Sequence, residues 1–220
     1  MKKYLNILII IVFAFASCKK DESVAFYGEE AGDDVGNSVF VGDILLADNT
    51  IVSPSDYDKV SNARGVVFYV DQSGKHGTAL ALNDISGCVW GPNVNVAQVH
   101  DYHQLEDAVC DYLGYRNTKN ILSQSNSSSY QAAYHSSEYN DGTGNWHWYL
   151  PALGELNEIF KNKDVINSTL SIINGSTMMS FSLCWSSTEC SSNEAWCFYL
   201  GNVDCFAKEK EMRVRPVVAF

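Results

Sequence analysis

Gly65-Val66-Val67-Phe68-Tyr69-Val70 is an unbroken run of β-branched and aromatic residues, closed by Asp71-Gln72-Ser73-Gly74 and answered by Thr78 to Leu82. A strand made from such a run has no polar face to turn to water, so it is covered on both sides, and the turn residues return the chain antiparallel. A buried β-pair is therefore the seed of the fold. On its N-terminal side, Val39 to Leu46, the turn Asp48-Asn49-Thr50 and then Ile51 and Val52 read as a β-hairpin. On its C-terminal side the period changes: Leu105, Val109, Tyr112 and Leu113 share one face of a helix predicted over His103 to Tyr115. The serine-rich stretch 123–129 is a loop, Tyr130 to Tyr134 can start a short helix, and Asp141-Gly142-Thr143-Gly144-Asn145 is a turn. A second helix starts at Pro151, with Leu153, Leu156, Ile159 and Phe160 facing inward and Glu155 in the first turns, where a carboxylate suits the helix dipole. Trp196 to Leu200, Gly201-Asn202 and Val203 to Ala207 form a hairpin, and Val214 to Phe220 is a closing strand. No internal repeat is visible, and the element pattern is that of an α+β domain.

The N-terminus has a different character. Lys2 and Lys3 precede an apolar stretch from Leu5 to Ala16, broken only by Asn6. That is a signal peptide over residues 1–17, too short for the roughly 20 residues that cross a bilayer. Ala16 and Ser17 stand before Cys18 in a pattern that resembles a lipobox, so the mature chain is expected to begin at a lipidated Cys18 and to be held at a membrane outside the cytoplasm. Residues 18–38 are small, polar and acidic, a tether able to reach roughly 20 to 30 Å. Its opening Cys18-Lys19-Lys20-Asp21-Glu22 resembles the charged signals that send some lipoproteins to the outer face of the outer membrane. Residues 39–220 are long enough for one domain with a single sizeable core.

The formal net charge is −11, with 15 basic and 26 acidic side chains; loss of Lys2 and Lys3 with the signal leaves 13 against 26. A phosphate-rich partner is repelled, which argues against nucleic-acid binding. Beyond Cys18 there are six cysteines, Cys88, Cys110, Cys184, Cys190, Cys197 and Cys205, none in a Cys-x-x-Cys pair. In an exported chain these read as disulfide partners, and a bridge between Cys197 and Cys205 across the Gly201-Asn202 turn is one candidate. His76, His100, His103, His135 and His147 are scattered; His100 and His103 share a helical face only if the helix begins early, and two ligands do not make a stable zinc site. There is no Gly-x-Ser-x-Gly elbow, no His-Glu-x-x-His and no P-loop, so no catalytic residue is singled out.

Trp148-Tyr149-Leu150-Pro151, Glu155-Leu156, Trp185-Ser186-Ser187-Thr188-Glu189, Ala195-Trp196 and Val214-Arg215-Pro216-Val217 together resemble the Lcl C-terminal-type domain family. The resemblance covers about residues 146–220 and implies an extracellular, often lipoprotein or adhesin, module. Its implied fold is C-type-lectin-like: two helices against a twisted antiparallel sheet, with a long irregular loop region. Most of this signature reads as architecture, with tryptophans filling a core and Ser186, Ser187 and Thr188 satisfying backbone groups. The Glu-Pro-Asn and Trp-Asn-Asp patterns of calcium-dependent sugar binding in that fold are missing; Glu189, Asn193, Glu194 and Asp204 are the nearest oxygen-rich set, and no cofactor is required. Formylglycine-generating enzymes share a distant version of the fold, but no cysteine pair here matches a catalytic one. The expected function is a non-enzymatic cell-surface module for adhesion, binding a glycan or a protein. Candidate ligand-binding residues are Trp146, Asn193 and Tyr199. A subunit of a cell-envelope or pilus-type assembly is the alternative, and an oxidative enzyme a remote third.

Overall fold

The apolar runs become strands, and the strands divide between two sheets. The computed structural model describes residues 38–60, 62–144, 147–180 and 182–220; residues 1–37, with Cys18 and almost all of the expected tether, lie outside them, as does Trp146. One sheet holds β1 (Ile44–Leu46), β2 (Ile51–Val52), β3 (Ala63–Val70), β4 (Gly77–Ala81) and β10 (Val217–Ala219), antiparallel throughout in the order β10-β4-β3-β1-β2. The other holds β5 (Ile85–Cys88), β6 (Cys184–Glu189), β7 (Glu194–Tyr199), β8 (Asn202–Ala207) and β9 (Met212–Val214) in the order β5-β9-β6-β7-β8, with β6 and β9 parallel. The expected pair is there, with Val66 opposite Leu80 and Val70 opposite Gly77, and so is the hairpin of β1 with β2.

Five α-helices are described where the lectin-like expectation has two: α1 (Leu105–Ala108), α2 (Gly114–Leu122), α3 (Gln131–Ser137), α4 (Leu153–Lys161) and α5 (Lys163–Leu170). Leu153, Leu156, Ile159, Ile166 and Leu170 of α4 and α5 pack with Val66, Phe68 and Leu80 of the first sheet and Trp196 and Phe198 of the second, making the main core. Ile121 of α2 and Ala132 and Ala133 of α3 cover the opposite face of the second sheet, against Trp185, Cys197 and Val214. Trp148 closes the outer face of the first sheet over Leu45, Ala79, Ala81 and Val218. The class is α+β.

Several expectations are corrected. The helix predicted over His103 to Tyr115 is cut after Ala108, because Asp111 turns the chain: its Oδ1 accepts Leu113 N–H at 2.9 Å and its carbonyl accepts Gly154 N–H at 2.8 Å. Pro151 lies one residue before the α4 N-cap, Ala152, and its carbonyl accepts Ser187 N–H at 2.8 Å. The closing strand is two strands, broken at Arg215-Pro216, so that the chain leaves one sheet as β9 and enters the other as β10. The β7–β8 turn is Leu200-Gly201, with φ of 48° and 81°, and Tyr199 faces Asn202. That register puts Cys205 opposite Trp196 and Cys197 opposite Asp204, on the other face. The bridge is therefore Cys190–Cys205, and Cys197 is a buried free thiol.

Candidate functional site

The signature residues meet along the seam between the two sheets. Tyr149 exchanges both backbone hydrogen bonds with Val217, at 2.9 and 3.0 Å, so the Trp148-Pro151 segment runs beside β10. On the second sheet, Ser186 Oγ donates to the Trp196 carbonyl at 2.7 Å, Trp90 Nε1 donates to the Ser186 carbonyl at 2.8 Å, and Leu153 N–H donates to Thr188 Oγ1 at 2.8 Å. Leu150, Trp185, Ser186, Ser187, Thr188 and Glu189 are completely buried. Arg215, also fully buried, donates from Nε to the Ala81 carbonyl at 2.7 Å, from Nη1 to Asp84 at 2.9 Å and from Nη2 to the Thr177 carbonyl at 2.7 Å. The charge is thereby matched and its donors are spent on the seam.

Glu189 forms a buried ion pair with Lys208. Lys208 Nζ also donates to the carbonyls of Val94 at 2.8 Å and Ser192 at 3.0 Å and sits 4.7 Å from the Trp90 ring centre. Val96 N–H reaches the Glu189 carboxylate at 3.2 Å. Burial pushes the Glu189 carboxyl up to about 7, with Lys208 pulling it back; burial likewise lowers Lys208. A second polar centre joins Asp111 to Thr188 Oγ1 and Asn117 Nδ2, each at 2.8 Å. Beside it, the Glu155 carboxyl accepts from Tyr149 Oη at 2.7 Å and Ala152 N–H at 2.8 Å, and burial pushes it up to about 8. Burial raises Asp111 too.

Asn193 and Tyr199 do not come together. Asn193 is in the β6–β7 turn and Tyr199 at the far end of β7, about 20 Å away at the usual strand rise; Tyr199 packs on Phe206 with ring centres 5.2 Å apart. Of the oxygen-rich set, Glu189 is consumed by Lys208, while Glu194 pairs with Ala207, three residues along β8 from Asp204. Among the described residues no group of three or more His, Cys, Asp or Glu is placed to hold a metal ion. His100 and His103 precede α1 instead of sharing its face; His103 Nδ1 lies 2.8 Å from the Cys190 carbonyl. His76 is in the β3–β4 turn, His135 in α3 and His147 next to Trp148. The thiols of Cys88, Cys184 and Cys197 are buried, which raises all three, Cys88 to about 11 and Cys197 to about 12.

Two open clefts lie among the described residues. One, of about 600 Å³, is formed by residues 99–104 and Asp107. The other, of about 380 Å³, lies between Tyr57, Asn62, Leu82, Thr143 and Ile173, at the strand ends of the first sheet. Asp141 on its wall accepts from Arg64 Nε at 2.6 Å, Trp148 Nε1 at 3.0 Å and Thr143 N–H at 2.9 Å. Burial raises its carboxyl, but these bonds outweigh that and hold it below the usual range.

No family model matches the sequence, and no curated protein matches it either. The chain is similar in fold to a fimbrial protein from Bacteroides ovatus. The crystal structure of that fimbrial protein superposes with a TM-score of 0.64 at 17% identity, over 83% of this chain and 49% of that one. This chain thus spans about half the length of the fimbrial protein. Among the described residues no helix is long and apolar enough to cross a membrane.

Lys208, Asp111, Arg64 and Asp141 organise these sites; in the sequence Asp141 is legible only as a turn residue, and the other three carry no mark. Lys208 stands in Ala207-Lys208-Glu209-Lys210-Glu211, which reads as a solvated turn. Nothing in its neighbours marks Lys208 as pointing inward.

Proposed function

We propose that this chain is a lipid-anchored, non-enzymatic cell-surface protein that serves as a subunit of a fimbria-type assembly. The observation that carries this reading is the fold likeness to the Bacteroides ovatus fimbrial protein. The lipobox-like Ala16-Ser17-Cys18 supports it from the other end of the chain. The C-type-lectin-like form of the domain and its place in the Lcl C-terminal-type family belong to the same proposal. The buried, internally bonded state of Glu155, Asp111, Glu189 and Arg215 suits architecture more than chemistry on a substrate.

Two experiments test it. Metabolic labelling with palmitate should mark the wild type and leave Cys18→Ala unlabelled, with the variant released as a folded protein of unchanged circular dichroism. Loss of folding in Cys18→Ala would contradict the division into anchor and domain. Cross-linking on intact cells should join the wild type to other envelope proteins in a high-mass complex; a chain that stays monomeric and inward-facing is not a fimbrial subunit. A second reading, an adhesion module for a glycan or protein, is favoured by the cleft at the strand ends of the first sheet.

A further inference from the structure

The geometry points to the cleft between Tyr57, Asn62, Ile173 and Asn174 as a binding site for a neutral saccharide. This rests on the adhesion reading and narrows it to one site and one ligand class. The cleft's volume, about 380 Å³, falls within the roughly 300–1,000 Å³ of small-molecule sites and suits one or two sugar rings.

Its lining has two kinds of surface. Tyr57, Val60, Leu82 and Ile173 offer apolar faces of the sort that receive the CH side of a pyranose ring. Asn62 and Asn174 present side-chain amides that make no hydrogen bond within the described residues, each supplying a donor and an acceptor to hydroxyl groups. The charges do not favour an ion. Asp141 is matched by buried Arg64, and the exposed Lys59 on the rim is preceded by Asp58, in a chain of net charge −11.

Saturation-transfer NMR on the full chain, with methyl α-mannoside, methyl β-galactoside, N-acetylglucosamine, cellobiose and glucuronate as probes, tests the assignment. Signal is expected from at least one neutral sugar, with chemical-shift changes at the Asn62 and Asn174 side-chain amides. Asn62→Ala with Asn174→Ala should weaken that sugar's binding at least tenfold, while Lys59→Ala changes it less than twofold. Silence from every neutral sugar, shifts confined to another face, or unchanged affinity in the double variant overturns the proposal. So does binding of glucuronate alone that is lost in Lys59→Ala. If the double variant still adheres to matrix proteins as the wild type does, the adhesion reading survives and this site does not.

Discussion

Glu155 places an ionisable group where water does not reach. Its carboxyl keeps its proton up to about pH 8 in the folded chain, against a value of 4.5 when solvated. Between those values the folded form binds more protons than the unfolded form, so stability from this group is fully present below 4.5 and is lost as pH rises through 8. We expect urea denaturation to show stability declining from pH 5 to pH 8, and Glu155→Gln to remove on the order of 2 kcal/mol of that decline. Equal slopes would mean the carboxyl ionises freely. Lys208 poses the complementary problem, a buried charge in contact with the Glu189 carboxylate. Lys208→Met should cost about 3–5 kcal/mol by stranding Glu189, whereas Lys208→Met with Glu189→Leu should recover most of that loss. Additive losses in the double variant would show that the two side chains do not act as a pair.

At the level of elements, the β7–β8 hairpin is the place where a local choice conflicts with the backbone. Both turn residues have positive φ, as a two-residue turn of this twist requires, yet the first is Leu200, 65% exposed. Leu200→Asn should relieve that strain and raise stability by about 1 kcal/mol, read as an upward shift in thermal midpoint. No change, or a fall, would place favourable packing on Leu200 that outweighs its strain. The same hairpin shows what the sequence makes legible and what it hides. Alternation and turn residues located the hairpin, but a one-residue difference in register moved Cys197 to the opposite face and gave Cys205 to Cys190. The strands from Ala63 to Ala81 were readable because burial on both faces leaves a continuous apolar run. The break in the helix after Ala108 was not, since it depends on Asp111 reaching partners in α4 and β6 that are distant in sequence. Asn193 and Tyr199 were chosen for chemical type, and type alone does not say that a strand keeps them apart.

Over the whole molecule, the crossing at Arg215-Pro216 decides whether two sheets behave as one body. β9 and β10 are separated by two residues, and each completes a different sheet. Pro216 has no N–H to continue a ladder, so the chain changes sheets there, while its carbonyl still accepts Ala81 N–H at 2.8 Å. Arg215 then ties the crossing to Ala81, Asp84 and Thr177, on the connection out of β4 and the segment after α5. A domain joined in this way should unfold in one step, with tryptophan fluorescence and far-ultraviolet circular dichroism tracing the same transition. Arg215→Met keeps the volume of the side chain roughly but removes every one of those donors and leaves Asp84 half of its pairing. It should cost about 3 kcal/mol or more and separate the two probes, because among the described residues the fluorescence is weighted to the second sheet by Trp90, Trp185 and Trp196, with Trp148 alone on the first, while the dichroism is not weighted in that way. If the variant unfolds at lower denaturant with the probes still coincident, packing of α4 and α5 against both sheets is sufficient coupling, and Arg215 contributes stability without holding the halves together.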